Sequence, residues 1–146
     1  MRHEEFLGAL ASEEIVAAIR EAESRTRAEV RVHVTDEAIL DTQGAAAAVF
    51  EKLGMTATAE RNAVLIFVAP ETQRYTVLGD LGIHQACAPG FWGSVTEAMR
   101  ARLLEGRFTA AIVAGVRQVG DELARCFPRR PGDGDRNELP DELSRG

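Results

Sequence analysis

Seven consecutive apolar residues, AVLIFVA over 63–69, constrain this chain more than any other feature. A strand that alternates apolar and polar residues needs one covered face, whereas a run with no polar residue needs two. The run is short for a buried helix and rich in β-branched residues. It predicts a central strand with helices packed on both sides. The turn residues Pro70-Glu71-Thr72-Gln73 follow it. Arg74–Leu78 is then a further strand, so the two form a hairpin.

The rest of the chain supplies the covering layers. Glu29–Thr35 alternates, with Val30, Val32 and Val34 on one side and Glu29, Arg31, His33 and Thr35 on the other. That pattern predicts a half-buried strand whose polar face or edge meets water. Ser12 followed by Glu13 and Glu14 predicts a capped first helix with stripe residues Ile15, Ile19 and Ala22. A second helix is expected around 45–53 and closes at Gly54. Trp92, Val95, Met99 and Leu103 recur at helical spacing, as do Ile112, Val116, Val119 and Leu123, and Phe127-Pro128 ends the last helix. Gly79–Gly90 reads as mostly loop. The order α-β-α-β-β-α-α places the first two strands parallel with a right-handed crossover and the third antiparallel. The expected class is α/β: a three-layer α/β/α sandwich with a small mixed sheet built on a β-α-β-β core.

At 146 residues and 15.8 kDa the chain has the size of one domain. Residues 1–11 read as an N-terminal extension and 12–128 as the domain. Residues 129–146, with the segment NELPDEL at 137–143, read as a flexible tail unless Leu139 and Leu143 dock. A net charge of −6 and a pI near 5.1 argue against nucleic acid as a partner. No apolar run approaches the 18 or so residues of a membrane helix, so no membrane insertion is expected. Cys87 and Cys126 have no C-x-x-C spacing. A cytoplasmic setting with reduced thiols is the default, and a single Cys87–Cys126 bridge is the alternative.

The topology also says which loops meet. Strands one and two begin at the same sheet end, at Glu29 and just after Asn62, and strand three returns there at Gly79-Asp80. With a four-residue turn, Ala69 faces Arg74 and Ala63 faces Asp80. Glu29, Glu60, Asp80, Arg61 and Asn62 then share one end. Carboxylates such as Asp80, Glu29 and Glu60 with an amide oxygen from Asn62 are a ligand set for Ca²⁺ or Mg²⁺. The same residues suit an Arg61–Asp80 or Arg61–Glu29 ion pair that pins the loop edges, the commoner arrangement at strand ends. Gly79 serves a backbone needing positive φ or close approach, or else leaves room for a ligand. Trp92 belongs to a core stripe. His33, His84 and Cys87 each lack a partner at catalytic or metal-binding spacing. P-loop, G-x-G-x-x-G, H-E-x-x-H, G-x-S-x-G and EF-hand signatures are absent.

Several blocks in order carry a resemblance: AEVRVHV (28–34), KLGMTATAERNAVLIFVA (52–69), GDLGIH (79–84), FW (91–92), GRFTAAIVAG (106–115), then FP and NELPDEL. Together they resemble the TPM-domain proteins, and among them the short, stand-alone, soluble bacterial type. The resemblance implies an α/β sandwich. It also implies two classes of function, since some members bind Ca²⁺ and a plant thylakoid member linked to photosystem II repair is assigned acid phosphatase activity. An animal member is an auxiliary receptor subunit. The expectation is a divalent-cation binding or protein-interaction module with an unknown protein partner; the alternative is a metal-assisted, acid phosphatase-like hydrolase. Arg61-Asn62 and Gly79-Asp80 match the family's Arg-Asn and Gly-Asp positions. Ala28 and Val30 stand where the family usually has Gly and Ile around Glu29. Ala63 replaces a frequent Gly and adds a methyl beside the candidate site.

Overall fold

The computed structural model describes residues 12–130 and 143–145. Strands β1 (Glu29–Val34), β2 (Ala63–Ala69), β3 (Arg74–Gly79) and β4 (Ser144–Arg145) form one sheet in the order β3-β2-β1-β4. β1 and β2 are parallel, β2 and β3 antiparallel. Every residue of β2 is buried. Its Val64, Ile66 and Val68 join a cluster with α1 (Ser12–Ser24), α4 (Phe91–Leu104) and α5 (Phe108–Cys126). Its Ala63, Leu65, Phe67 and Ala69 pack instead against Ala46 and Phe50 of α2 (Thr42–Lys52) and against Met55. The uninterrupted apolar run is therefore accounted for by a helical layer on each face, and the α/β sandwich class holds.

The caps follow the local sequence. Asp41 accepts the Gly44 N–H at the start of α2, and Gly54 (φ 68°) follows its end in the left-handed region. The expected register is also observed: Ala69 pairs with Arg74, and the Asp80 N–H donates to the Ala63 carbonyl at 3.0 Å.

Two expectations are corrected, and two alternatives that the sequence leaves open are resolved. The segment after Gly79 is not mostly loop, because α3 (Leu81–Ala86) forms there, capped by Asp80. Six residues are too few for a helical period to show in sequence. β1 does not offer its polar side to water: Glu29 and His33 are buried, and the His33 ring stacks on Phe67. The cysteines are joined, Cys87 to Cys126, with Cα atoms 5.4 Å apart, so the alternative of a bridge replaces free thiols. The end of the tail docks: Leu143 packs on the core, Ser144 and Arg145 pair parallel to His33 and Val34, and the Ser144 hydroxyl lies 3.0 Å from His33 Nδ1. Leu139 lies outside the described residues. No helix among the described residues is long and apolar enough to cross a membrane.

Candidate functional site

The parallel register sets Glu29 beside Ala63, and the hairpin sets Asp80 on Ala63's other side. Side chains directly opposite in a sheet share a face. Glu29 and Asp80 thus stand two strand spacings apart, about 10 Å between Cα atoms, on either side of Ala63. Both are buried, at 4% and 6% exposure.

Asp80 carries three charge-assisted hydrogen bonds. Arg61 donates through Nε to Oδ2 at 2.6 Å and through Nη2 to Oδ1 at 2.8 Å, and the Leu81 N–H donates to Oδ1 at 2.8 Å. This fork is the strong, directional form of a carboxylate–guanidinium contact. The hydrogen bond to Asp80 raises the Arg61 pKa further above its ordinary range, so Arg61 stays charged at any working pH. The Arg61 side chain is 44% exposed, whereas that of Asp80 is only 5% exposed. The pair therefore has one wet partner and one dry one.

Arg61 adopts φ 52°, a left-handed backbone that few non-glycine residues accept. Its carbonyl accepts the Gly82 N–H at 2.8 Å. A Cβ on Gly82 would lie 2.1 Å from the Glu60 carbonyl and 2.6 Å from that of Arg61, so glycine is what lets α3 sit against this loop. Gly79 has the same kind of role: a Cβ there would fall 2.3 Å from the Trp92 ring. Close approach, not positive φ, explains it.

Glu60 and Asn62 diverge from this pair. Glu60 is held by Arg27 at 2.7 and 3.1 Å and by Arg130 at 3.3 Å. Asn62 is 1% exposed; its N–H donates to the Thr58 hydroxyl and its Oδ1 is buried with no hydrogen-bond donor. Among the described residues no three His, Cys, Asp or Glu side chains gather as a metal cluster. The sequence reading places Glu29, Glu60, Asp80, Arg61 and Asn62 together at one end; the structure joins Arg61 to Asp80 there but ties the Glu60 carboxylate to Arg27 and Arg130 instead. That reading misses Arg27, Arg130 and Thr58, which hold the neighbouring loop; Arg27, a cation two residues before β1, is the one readable signal.

Chemically, the Arg61 guanidinium occupies the position on Asp80 that a cation would take. A cation at this end would meet Asp80 and Glu29, with the Asn62 amide oxygen close in sequence to the Arg61 fork. The residues fit a divalent ion only if Arg61 yields its place, which its exposure permits.

A family model described as TPM domain matches residues 1–122. Among solved structures, the chain is similar to the BA42 protein from the psychrophilic bacterium Bizionia argentinensis, determined by NMR. They share 36% identity with a TM-score of 0.85, over 94% of this chain and 95% of that one. It is also similar in fold to the N-terminal domain of a protein from P. gingivalis, at 18% identity and TM-score 0.63, over 82% of this chain and 80% of that one. No curated protein matches the chain.

Proposed function

The chain belongs to the TPM-domain family, and from that premise we propose that its Asp80 end is a divalent-cation switch in a module that binds a protein partner. Ca²⁺ or Mg²⁺ would exchange with Arg61 on the Asp80 carboxylate. The observation that carries this reading is the buried Asn62 Oδ1 without a donor, one residue along the chain from an Arg61 whose ion pair with Asp80 leaves the cationic half wet. A buried amide oxygen with no donor is costly and suits a hard cation. Competition with a resident guanidinium makes the affinity weak, about 10⁻⁴–10⁻³ M.

The test is an amide NMR titration with CaCl₂ and MgCl₂. Shifts should centre on residues 29, 61–63 and 79–82 and saturate. Arg61→Gln should bind more tightly, because the competitor is gone, and Asp80→Asn should bind far less. No shift in wild type or Arg61→Gln at about 10 mM, ten times the weak limit, would sink the reading.

The exposed guanidinium supports a second reading as a hydrolase. A metal would polarise one phosphoryl oxygen while Arg61 holds another. Hydrolysis of p-nitrophenyl phosphate at equal rates by wild type and Asp80→Asn rejects it. The bonded cysteines support an oxidising compartment over the cytoplasm expected from sequence. Maleimide labelling of both cysteines in freshly lysed cells would reverse that.

A further inference from the structure

We propose that a second site, at the opposite end of the sheet, binds a small amphipathic anion: a carboxylate carried on a short alkyl or aryl body. A cleft of about 470 Å³ opens there between the β2–β3 turn and the junction of α4 with α5. Its walls include the Tyr75 ring, Leu103, Leu104 and Phe108, and its rim carries Arg74 and Arg100. Apolar walls with a few convergent polar groups are the ordinary make-up of a small-molecule site.

Three observations fix the class of occupant. First, Leu104 is 79% exposed, the most exposed large apolar side chain among the described residues, although it lines a concavity. An apolar body would cover it. Second, the lining holds two cations and no acid, in a chain of net charge −6. Arg100 makes no hydrogen bond or ion pair among the described residues; Glu97, one turn earlier on the same helix, does not pair with it. Arg74 donates only through Nη1, to the Leu40 carbonyl at 3.2 Å, which holds the side chain while leaving its other N–H groups available. Two guanidinium groups lining one cleft suit a carboxylate. Third, the Tyr75 hydroxyl is already committed to the Thr96 carbonyl at 3.2 Å, so the ring presents a wall and not a donor. The cleft lies where α4 ends and α5 begins, so the two helix-end fields oppose one another and the side chains set the sign.

This site shares no residue with the Asp80 end and stands or falls independently of it. The test uses the whole chain and octanoate as probe, followed through the ring signals of Tyr75, the only tyrosine, and the methyl signals of Leu103 and Leu104. Saturable shifts confined to these residues are expected. Arg100→Gln and Arg74→Gln should each weaken binding about tenfold, the scale of one charge-assisted hydrogen bond. Leu104→Ser should weaken it too, with the thermal midpoint unchanged because the side chain lies in water. Octanol binding as well as octanoate would show an apolar groove without anion recognition and overturn the proposal. So would acetate binding as well as octanoate, a shift pattern that follows dimer formation, or no shift at millimolar octanoate.

Discussion

At the end of the sheet where β1 and β2 begin, each segment is tied to another by side chains of opposite charge or by a covalent bond. Arg61 forks onto Asp80, Arg27 forks onto Glu60, and Cys87 is joined to Cys126. At the far end, beyond Ala69, the ties are weaker: Arg74 reaches the Leu40 carbonyl, Thr72 reaches the Ile39 carbonyl, and Arg100 pairs with nothing described. One end pairs its cations with carboxylates; the other leaves them facing an open cleft. Substitutions at the first end should therefore act on stability as well as on any cation bound there. Those at the second should act on binding alone.

The disulfide should give the largest effect. It closes a loop across a separation of 39 residues between the end of α3 and the end of α5. Loop entropy alone gives about 4 kcal/mol for a loop of that length. Urea unfolding with and without dithiothreitol measures it, and an unchanged midpoint would mean that the packed helix ends hold without the bond.

Gly82→Ala should follow. The clashing atoms are main-chain oxygens of Glu60 and Arg61, so neither can rotate aside. A loss of about 3 kcal/mol is expected from overpacking. Gly93→Ala in α4 is the control, since its Cβ would meet nothing within 4 Å, and it should gain about 0.5 kcal/mol. Equal effects of the two substitutions would show that the 60–62 loop is not pinned by α3.

These two predictions mark where sequence reading stopped. The AVLIFVA run and the turn at 70–73 settle the sheet, because strand period and turn length determine register; Ala63 beside Asp80 follows from counting alone. The same counting brings Glu29, Arg61 and Asp80 together. It cannot choose between a cation and a guanidinium on Asp80, since both satisfy the carboxylate. The Cys87–Cys126 pairing depends on how α3 and α5 cross, and no local pattern records that. The burial of Glu29 and His33 depends on what covers β1, including a two-residue strand from the chain's far end. Asp80 ahead of Leu81-Gly82 was a legible N-cap, but a six-residue helix offers no period to confirm it.

Asp80→Ala should cost about 1 kcal/mol, mainly the lost cap on the Leu81 N–H, because the released Arg61 side chain is already 44% exposed and can turn to water. Chemical denaturation beside Asp80→Asn separates the cap from the charge. A loss as large as that of Gly82→Ala would mean that the ion pair, and not the packing of α3, organises this end.

The smallest effect belongs to the far end and is read without unfolding the protein. Burial of the Tyr75 ring raises its pKa above the ordinary 10.0, Arg100 pulls it down and Glu97 pushes it up. A raised folded-state value means that the neutral phenol favours the folded form. That contribution is complete below the unfolded-state pKa near 10 and is lost as pH climbs through the higher folded value. Phenolate absorbance of this single tyrosine should therefore titrate above pH 10, with stability falling over the same range. Arg100→Gln should move the midpoint higher still, because it removes the cation that favours phenolate. A midpoint unmoved by Arg100→Gln would place the guanidinium too far from the ring to serve one ligand with it. The cleft would then lose one of the two cations on which its preference for an anion rests.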